Sequence, residues 1–140
     1  MTIAIVTAPL SEDELVATFA IVVMCEPGED HPGGQGRMLH AMNLARDLRA
    51  NGEEVTLWFH GIGVTWLTAF DEQQDKFTQV YRPLFDEVCD LIGGTCEFCT
   101  VKRFGAAPSA AKLGILVLRS GGDHHTLAAL LAQGHRVLTF

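Results

Sequence analysis

The sequence feature that most constrains the fold is a continuous apolar run, ATFAIVVMC, at residues 17–25. It lacks the alternation of polar and apolar residues that marks a strand with one solvated face. A short run of this kind fits a strand that is buried on both faces, as in a parallel sheet covered by helices. We therefore predict that residues 17–25 form a strand of such a sheet.

Helical and extended patterns alternate along the rest of the chain. The predicted helices span 37–52, 65–70, 82–92 and 120–134, with Pro83 in the first turn of the third and Ser120 or Asp123 at the start of the last. The predicted strands span 17–25, 54–60, 95–99 and 135–140. Residues 113–118 fit either a strand or core packing. Residues 26–36 are predicted to be a loop, and residues 103–112 are predicted to be a loop with room for one helical turn. Gly93 and Gly94 are predicted to end the third helix. This order predicts an α/β fold in which a parallel sheet is sandwiched between helices.

Composition narrows the class of protein. A chain of 140 residues with 48% hydrophobic and 19% charged residues predicts one globular domain, residues 1–140, in which residues 1–12 are an extra strand or a flexible leader. A formal net charge of -7 argues against nucleic acid as a partner, because phosphate binding relies on clustered cations. No stretch reaches the roughly 20 apolar residues of a membrane helix. Four unevenly spaced cysteines predict reduced thiols in the cytoplasm.

Three reactive side chains fall at the predicted ends of strands. Cys25 ends the first strand, His60 the second and Cys99 the third. Ligands of open parallel sheets gather at the carboxyl ends of the strands. We therefore expect the candidate site at this edge of the sheet.

Cys96 and Cys99 form a C-x-x-C pair, and three interpretations of the pair remain open. If residues 95–99 are extended, the two side chains point to opposite faces, which argues against a disulfide unless a turn or a helix begins at 97–99. A single reactive thiolate is the second interpretation, with Lys102 and Arg103 lowering its pKa and the flanking glycines presenting it at the surface. In the third, both thiols are small buried apolar groups.

Three patterns for a metal or a cofactor are absent from the sequence. A zinc site needs four ligands, and the C-x-x-C pair has neither a second pair nor spaced histidines after it. The PGGQGR segment at 32–37 matches neither the P-loop nor the dinucleotide fingerprint. We therefore predict no metal and no cofactor.

The ordered motifs FAIVVM, HAMNLARDLRANGEEVTLWFHGIGV, LIGGTCEFCTVKRFG and LAALLAQGHRVLTF together resemble the DsrE/DsrF-like sulfur-relay family. The resemblance covers roughly residues 17–140. It implies a three-layer α/β/α sandwich around a five-stranded, mostly parallel sheet. It also implies homo-oligomers that are often trimers or hexamers, and a cysteine that accepts and passes on persulfide sulfur. By position that cysteine is Cys99, with Cys96 second. Partners would be persulfide donor and acceptor proteins.

Three functional hypotheses follow. In the first, the protein is a sulfur carrier in which Cys99 is the reactive thiol and Lys102, Arg103, His60 and Cys25 support the site. In the second, Cys96 and Cys99 act as a dithiol–disulfide oxidoreductase. In the third, the chain is a non-catalytic oligomeric or ligand-binding module whose thiols are inert.

Overall fold

Five parallel strands form one sheet in the computed structural model, which describes residues 17–118 and 127–140. The strands are β1 (Thr18–Val23), β2 (Glu54–Phe59), β3 (Ile92–Cys96), β4 (Val117–Leu118) and β5 (Arg136–Thr139). Their order across the sheet is β4-β3-β2-β1-β5, and every neighbouring pair is parallel. Residues 1–12, Ser120 and Asp123 lie outside the described residues, so the predictions made for them stay predictions.

Helices cover both faces of this sheet. They are α1 (Pro32–Ala50), α2 (Thr65–Glu72), α3 (Lys76–Val88), α4 (Ala107–Leu113) and α5 (Leu127–Ala132). Short 3₁₀ turns occupy Gly61–Val64 and Cys89–Leu91, and a π-helical turn occupies Phe98–Arg103. No helix within residues 17–118 and 127–140 has the length and apolarity needed to cross a bilayer.

Strand β1 explains the three layers because its side chains alternate between two cores. Ile21 and Val23 belong to the larger buried cluster, which also contains residues of α1, α2, α3 and α4. Ala20 and Val22 belong to a second cluster, together with Leu130 of α5. These four residues, 20–23, are fully buried. The three-layer α/β/α architecture that the resemblance implies is therefore confirmed.

Aromatic rings fill the larger core between α2 and α3. Phe70 stacks on Phe85 with ring centroids 4.4 Å apart and an interplanar angle of 11°. Trp66 and Phe77 pack against Phe70 in tilted arrangements, with centroids 5.7 and 6.4 Å away. Aromatic pairs in such offset or tilted arrangements stabilise a core beyond their buried area. This cluster fixes α2 and α3 relative to each other below the sheet edge where the candidate site lies.

Helix α1 begins at Pro32, so the prediction that all of residues 26–36 form a loop is wrong. Pro32 occupies the first helical turn, where a missing backbone N–H costs nothing. Gly34 is buried against the chain that leaves β1. A Cβ atom on Gly34 would lie 2.0 Å from the carbonyl oxygen of Glu26. Gly34 therefore allows close packing of the helix start against the chain that leaves β1.

Helix α3 begins at Lys76, which corrects the predicted start at residue 82. Asp75 is its N-cap, and the Asp75 carboxylate accepts a hydrogen bond of 2.8 Å from the backbone N–H of Thr78. Pro83 consequently lies inside the helix rather than in its first turn. The capping interaction, not the proline, sets where this helix starts.

Gly93 and Gly94 lie in strand β3 and do not end a helix, which is a second correction in this region. A Cβ atom on Gly93 would lie 2.7 Å from the Trp58 ring. Gly94 has a φ of 149°, which side chains rarely adopt. Gly93 therefore lets β3 pass close to a tryptophan of the neighbouring strand, and Gly94 adopts a backbone conformation that favours glycine. The ambiguous segment 113–118 ends α4 and then forms strand β4.

Candidate functional site

Strand β3 ends at Cys96, and the chain turns at once into a helical conformation. Glu97 has φ -56° and ψ -44°, and the backbone N–H of Phe104 donates a π-type hydrogen bond of 3.0 Å to the carbonyl of Cys99. The expectation that residues 95–99 are extended throughout is therefore wrong. Single π-helical turns recur at functional sites. Here the turn carries Cys99 back toward Cys96, so the two side chains do not point to opposite faces.

The Cys96 and Cys99 thiols are hydrogen-bonded to each other and carry no disulfide. Both are buried, with 4% of Cys96 and 6% of Cys99 exposed. One of the three interpretations has flanking glycines present a reachable thiol here, whereas the structure places both sulfur atoms among the side chains of the larger core, as the third interpretation expects. A bulky reactant reaches either sulfur only if the turn opens.

Burial raises the pKa of the Cys99 thiol above that of an ordinary cysteine. The backbone N–H of Gly61 opposes this rise, the neighbouring Cys96 adds to it, and the Arg103 guanidinium opposes it more weakly. Arg103 thus lowers the pKa of Cys99, as the sequence predicts, but desolvation raises that pKa by more. At neutral pH the Cys99 side chain is a thiol rather than a thiolate.

Gly61 is the site residue that sequence reasoning misses. It begins the Gly61–Val64 turn directly after β2 and has a φ of 56°. Two residues on, a Cβ atom on Gly63 would lie 2.1 Å from the carbonyl oxygen of Val23, so this turn is packed tightly against the exit of β1. The two glycines at 61 and 63 were a usable signal for a tight turn, but the direction of the Gly61 N–H depends on the folded chain.

His60 links the ends of two strands through its backbone. Its N–H donates to the carbonyl of Val23 at 3.1 Å, and its own carbonyl accepts from the N–H of Gly63 at 2.9 Å. The imidazole is half-buried and stands next to Gly61 in the chain. His60 therefore holds the turn whose first N–H contacts Cys99.

Cys25 lies in different surroundings from the cysteine pair. Its thiol donates to the carbonyl of Gly34 at 3.4 Å, and its own carbonyl accepts a hydrogen bond of 2.9 Å from the indole N–H of Trp66. Burial raises the pKa of the Cys25 thiol, and Trp66 and Arg37 oppose that rise. A cleft of about 400 Å³ runs past Cys25 toward His31 and Ile62. The structure therefore brings Cys96, Cys99 and Arg103 together and leaves Cys25 beside helix α1.

The sequence model of the DsrE/DsrF-like family matches residues 20–140. The chain belongs to the DsrE/DsrF-like family. The match confirms the resemblance that the ordered motifs predict, and it associates this DsrE/DsrF-like protein with sulfur relay. No curated protein and no solved structure gives a significant match to the chain.

Exposed apolar side chains surround the cysteine pair of this DsrE/DsrF-like protein. Phe98 and Val101, on the turn that contains Cys99, are each 47% exposed. Lys102 and Arg103 follow them and are also exposed, with the Arg103 guanidinium 5.0 Å from the Phe104 ring centroid. The turn thus buries the two thiols on its inner side. Its outer side exposes apolar and basic side chains to solvent. In the described parts of the chain, no group of three or more His, Cys, Asp or Glu side chains is arranged to hold a metal ion.

Replacing Arg103 by glutamine is expected to raise the pKa of Cys99 further, because the guanidinium stabilises the thiolate. Less thiolate is then present at any given pH, so the alkylation of Cys99 becomes slower and its pH profile moves to higher pH. Residue-resolved mass spectrometry after timed alkylation measures the profile. Lys102→Gln removes the adjacent exposed cation and is the matched control, with a smaller expected shift. A larger shift of the Cys99 pH profile in Lys102→Gln than in Arg103→Gln would contradict the conclusion that Arg103 stabilises the Cys99 thiolate.

Proposed function

We propose that the protein carries sulfur as a persulfide on Cys99 and passes it to an acceptor thiol. The observation that carries the proposal is the placement of Cys99 at the carboxyl edge of the sheet, where the Gly61 N–H and the Arg103 guanidinium both favour a negative charge on its sulfur. Membership of the DsrE/DsrF-like family supports it. An outer persulfide sulfur attached to Cys99 is also anionic, and the same two groups would stabilise it.

The chemistry is sulfur exchange in two balanced steps. The Cys99 thiolate attacks the outer sulfur of a donor persulfide, R–S–SH, and forms Cys99–S–SH while the donor leaves as a thiolate. An acceptor thiolate then attacks the outer sulfur of Cys99–S–SH and restores the Cys99 thiolate. Because Cys99 ionises with difficulty while it is buried, both steps follow opening of the Phe98–Arg103 turn. Gly105, with a φ of 60°, follows that turn and supplies a backbone position that tolerates such a change.

Persulfide donor and acceptor proteins are the partners in this proposal. Phe98 and Val101 offer them an apolar contact beside the thiol, with Lys102 and Arg103 next to it. Binding of a partner to this surface would open the turn at the moment of transfer. The proposal includes a homo-oligomer, a trimer or a hexamer, and a cytoplasmic location, to which the four unbridged cysteines are suited.

Two alternatives each have one observation in their favour. The hydrogen bond between Cys96 and Cys99 favours a dithiol–disulfide oxidoreductase. The burial of both sulfur atoms favours a non-catalytic module with inert thiols. An oxidoreductase would lose reductase activity in either Cys96→Ser or Cys99→Ser, whereas inert thiols would resist alkylation in the folded protein.

The proposal is tested by loading with a persulfide donor and measuring intact mass. We expect the wild-type protein to gain one sulfur atom, Cys99→Ser to gain none, and Cys89→Ser to gain as much as the wild type. Cys89 is the matched control because it is half-buried at the end of α3 and has a raised pKa from burial, like Cys99. Circular dichroism checks that both variants fold. A sulfur gain that persists in Cys99→Ser would overturn the proposal.

A further inference from the structure

Cys96 is a buried nucleophile that the proposed sulfur transfer does not use. Its thiol is hydrogen-bonded to Cys99, and both belong to the same buried cluster. An acceptor protein must open the Phe98–Arg103 turn before it reaches Cys99, whereas Cys96 is already in contact. A neighbouring group held in place replaces a second-order encounter by an intramolecular step. The chemistry between the two cysteines therefore competes with any transfer to an outside thiol.

We propose that the Cys96–Cys99 pair exchanges hydrosulfide between a persulfide and a disulfide, which makes hydrosulfide a small substrate or product of this site. The inference rests on the proposed function for its persulfide state. In the release direction, Cys96 attacks the inner sulfur of the Cys99 persulfide, and a Cys96–Cys99 disulfide forms. In the uptake direction, hydrosulfide attacks the Cys99 sulfur of that disulfide and forms the persulfide again.

The step balances without an outside oxidant. Cys96–SH and Cys99–S–S⁻ give Cys96–S–S–Cys99 and HS⁻. The S–S bond of the persulfide breaks, its outer sulfur leaves with the bonding electron pair and takes up the Cys96 proton, and the new S–S bond joins the two protein sulfurs. The outer sulfur is reduced to sulfide while the two cysteine sulfurs become a disulfide. A dithiol reductant then restores both thiols.

The geometry of the turn fits this exchange. A disulfide requires its two sulfur atoms to come within about 2.05 Å, with Cβ atoms roughly 3.5–4.5 Å apart. The helical conformation that starts at Glu97 turns the chain directly after Cys96, so that Cys99 comes back within hydrogen-bond reach of the Cys96 thiol. An extended segment would have prevented this. Burial also favours hydrosulfide over larger thiols, because a triatomic or smaller species needs far less opening of the Phe98–Arg103 turn than a protein does.

The test begins from the disulfide, so it does not depend on loading by a persulfide donor. The purified full chain is oxidised with diamide, treated with isotopically labelled sodium sulfide and alkylated, and the products are assigned by residue-resolved mass spectrometry. We expect oxidation to form a Cys96–Cys99 disulfide, and sulfide to convert it to a labelled persulfide on Cys99. Cys96→Ser is expected to lose the labelled product completely, whereas Cys89→Ser keeps it at the wild-type level.

Each result decides the inference. A protein in which diamide forms no Cys96–Cys99 disulfide, or a disulfide that takes up no label, overturns it, and so does label that Cys96→Ser retains. Failure here leaves the donor-loading experiment unaffected. Conversely, the protein could take up labelled sulfide through its disulfide but gain no sulfur from persulfide donors. That result would support the exchange and overturn the proposed transfer of sulfur from donor proteins.

Discussion

Replacing Phe70 by alanine is expected to lower the free energy of unfolding by about 3–5 kcal/mol, the range for truncating a fully buried aromatic residue. Phe70 has no exposed surface, stacks on Phe85 and packs against Trp66. Alanine leaves a cavity between α2 and α3 that these large rings fill only by moving. Chemical denaturation monitored by circular dichroism measures the change.

Phe98→Ala is the matched control for this prediction. It removes the same atoms, but Phe98 is 47% exposed on the turn beside the cysteines. Substitutions at such surface positions usually change stability by about 0.5 kcal/mol or less. Equal losses of stability in Phe70→Ala and Phe98→Ala would show that the aromatic packing around Phe70 contributes no more to stability than an exposed ring does. Phe98→Ala also tests the proposed partner surface, because it should weaken donor binding without unfolding the protein.

Gly34→Ala is expected to destabilise the protein by about 1–3 kcal/mol, as overpacking of a close contact does. The added Cβ atom would meet the carbonyl oxygen of Glu26 at 2.0 Å, and backbone atoms on both sides leave no flexible group to yield. The start of α1 would have to move away from the chain leaving β1. The Cys25 thiol, which donates to the Gly34 carbonyl, would lose its partner.

Gly36→Ala gives the opposite sign two residues further along the same helix. Nothing lies within 4 Å of a Cβ atom at Gly36, and alanine is favoured over glycine in a helix interior by up to about 1 kcal/mol. The stability difference between the two alanine variants is therefore the measured quantity. If Gly34→Ala were as stable as Gly36→Ala, the close approach of α1 to residue 26 would be incorrect.

Three strands were predictable from the sequence, and β1 most directly, because burial on both faces leaves a continuous apolar run. The 17–25 run predicts β1, and residues 54–60 and 135–140 contain β2 and β5. Helix starts were less predictable because they depend on particular contacts. His31, the residue before α1, makes no side-chain capping hydrogen bond, so no capping residue in the sequence marks where α1 starts. The start of α3 depends on the Asp75 carboxylate rather than on Pro83.

The positions of the candidate residues relative to the strands were partly predictable, but the geometry around them was not. Cys25 and His60 follow β1 and β2, whereas β3 ends at Cys96 and not at Cys99. The π-helical turn after Cys96 was not predictable, because the residues from Thr100 to Gly105 carry no strong helix pattern and the turn is held by backbone hydrogen bonds to Cys99 and Thr100. The burial of Cys99 and its contact with Gly61 depend on how that turn packs. The sign of the net pKa shift at Cys99 follows from this burial.

The hydrogen bond from the Trp66 indole to the Cys25 carbonyl has a practical consequence. Trp66 is fully buried at the sheet edge that holds the cysteines, while the other tryptophan of the chain, Trp58, packs toward the opposite layer. A Trp58→Phe protein therefore contains a single tryptophan, anchored to the exit of the first strand. Its emission gives a label-free optical signal with which the kinetics of events at this edge can be followed in real time.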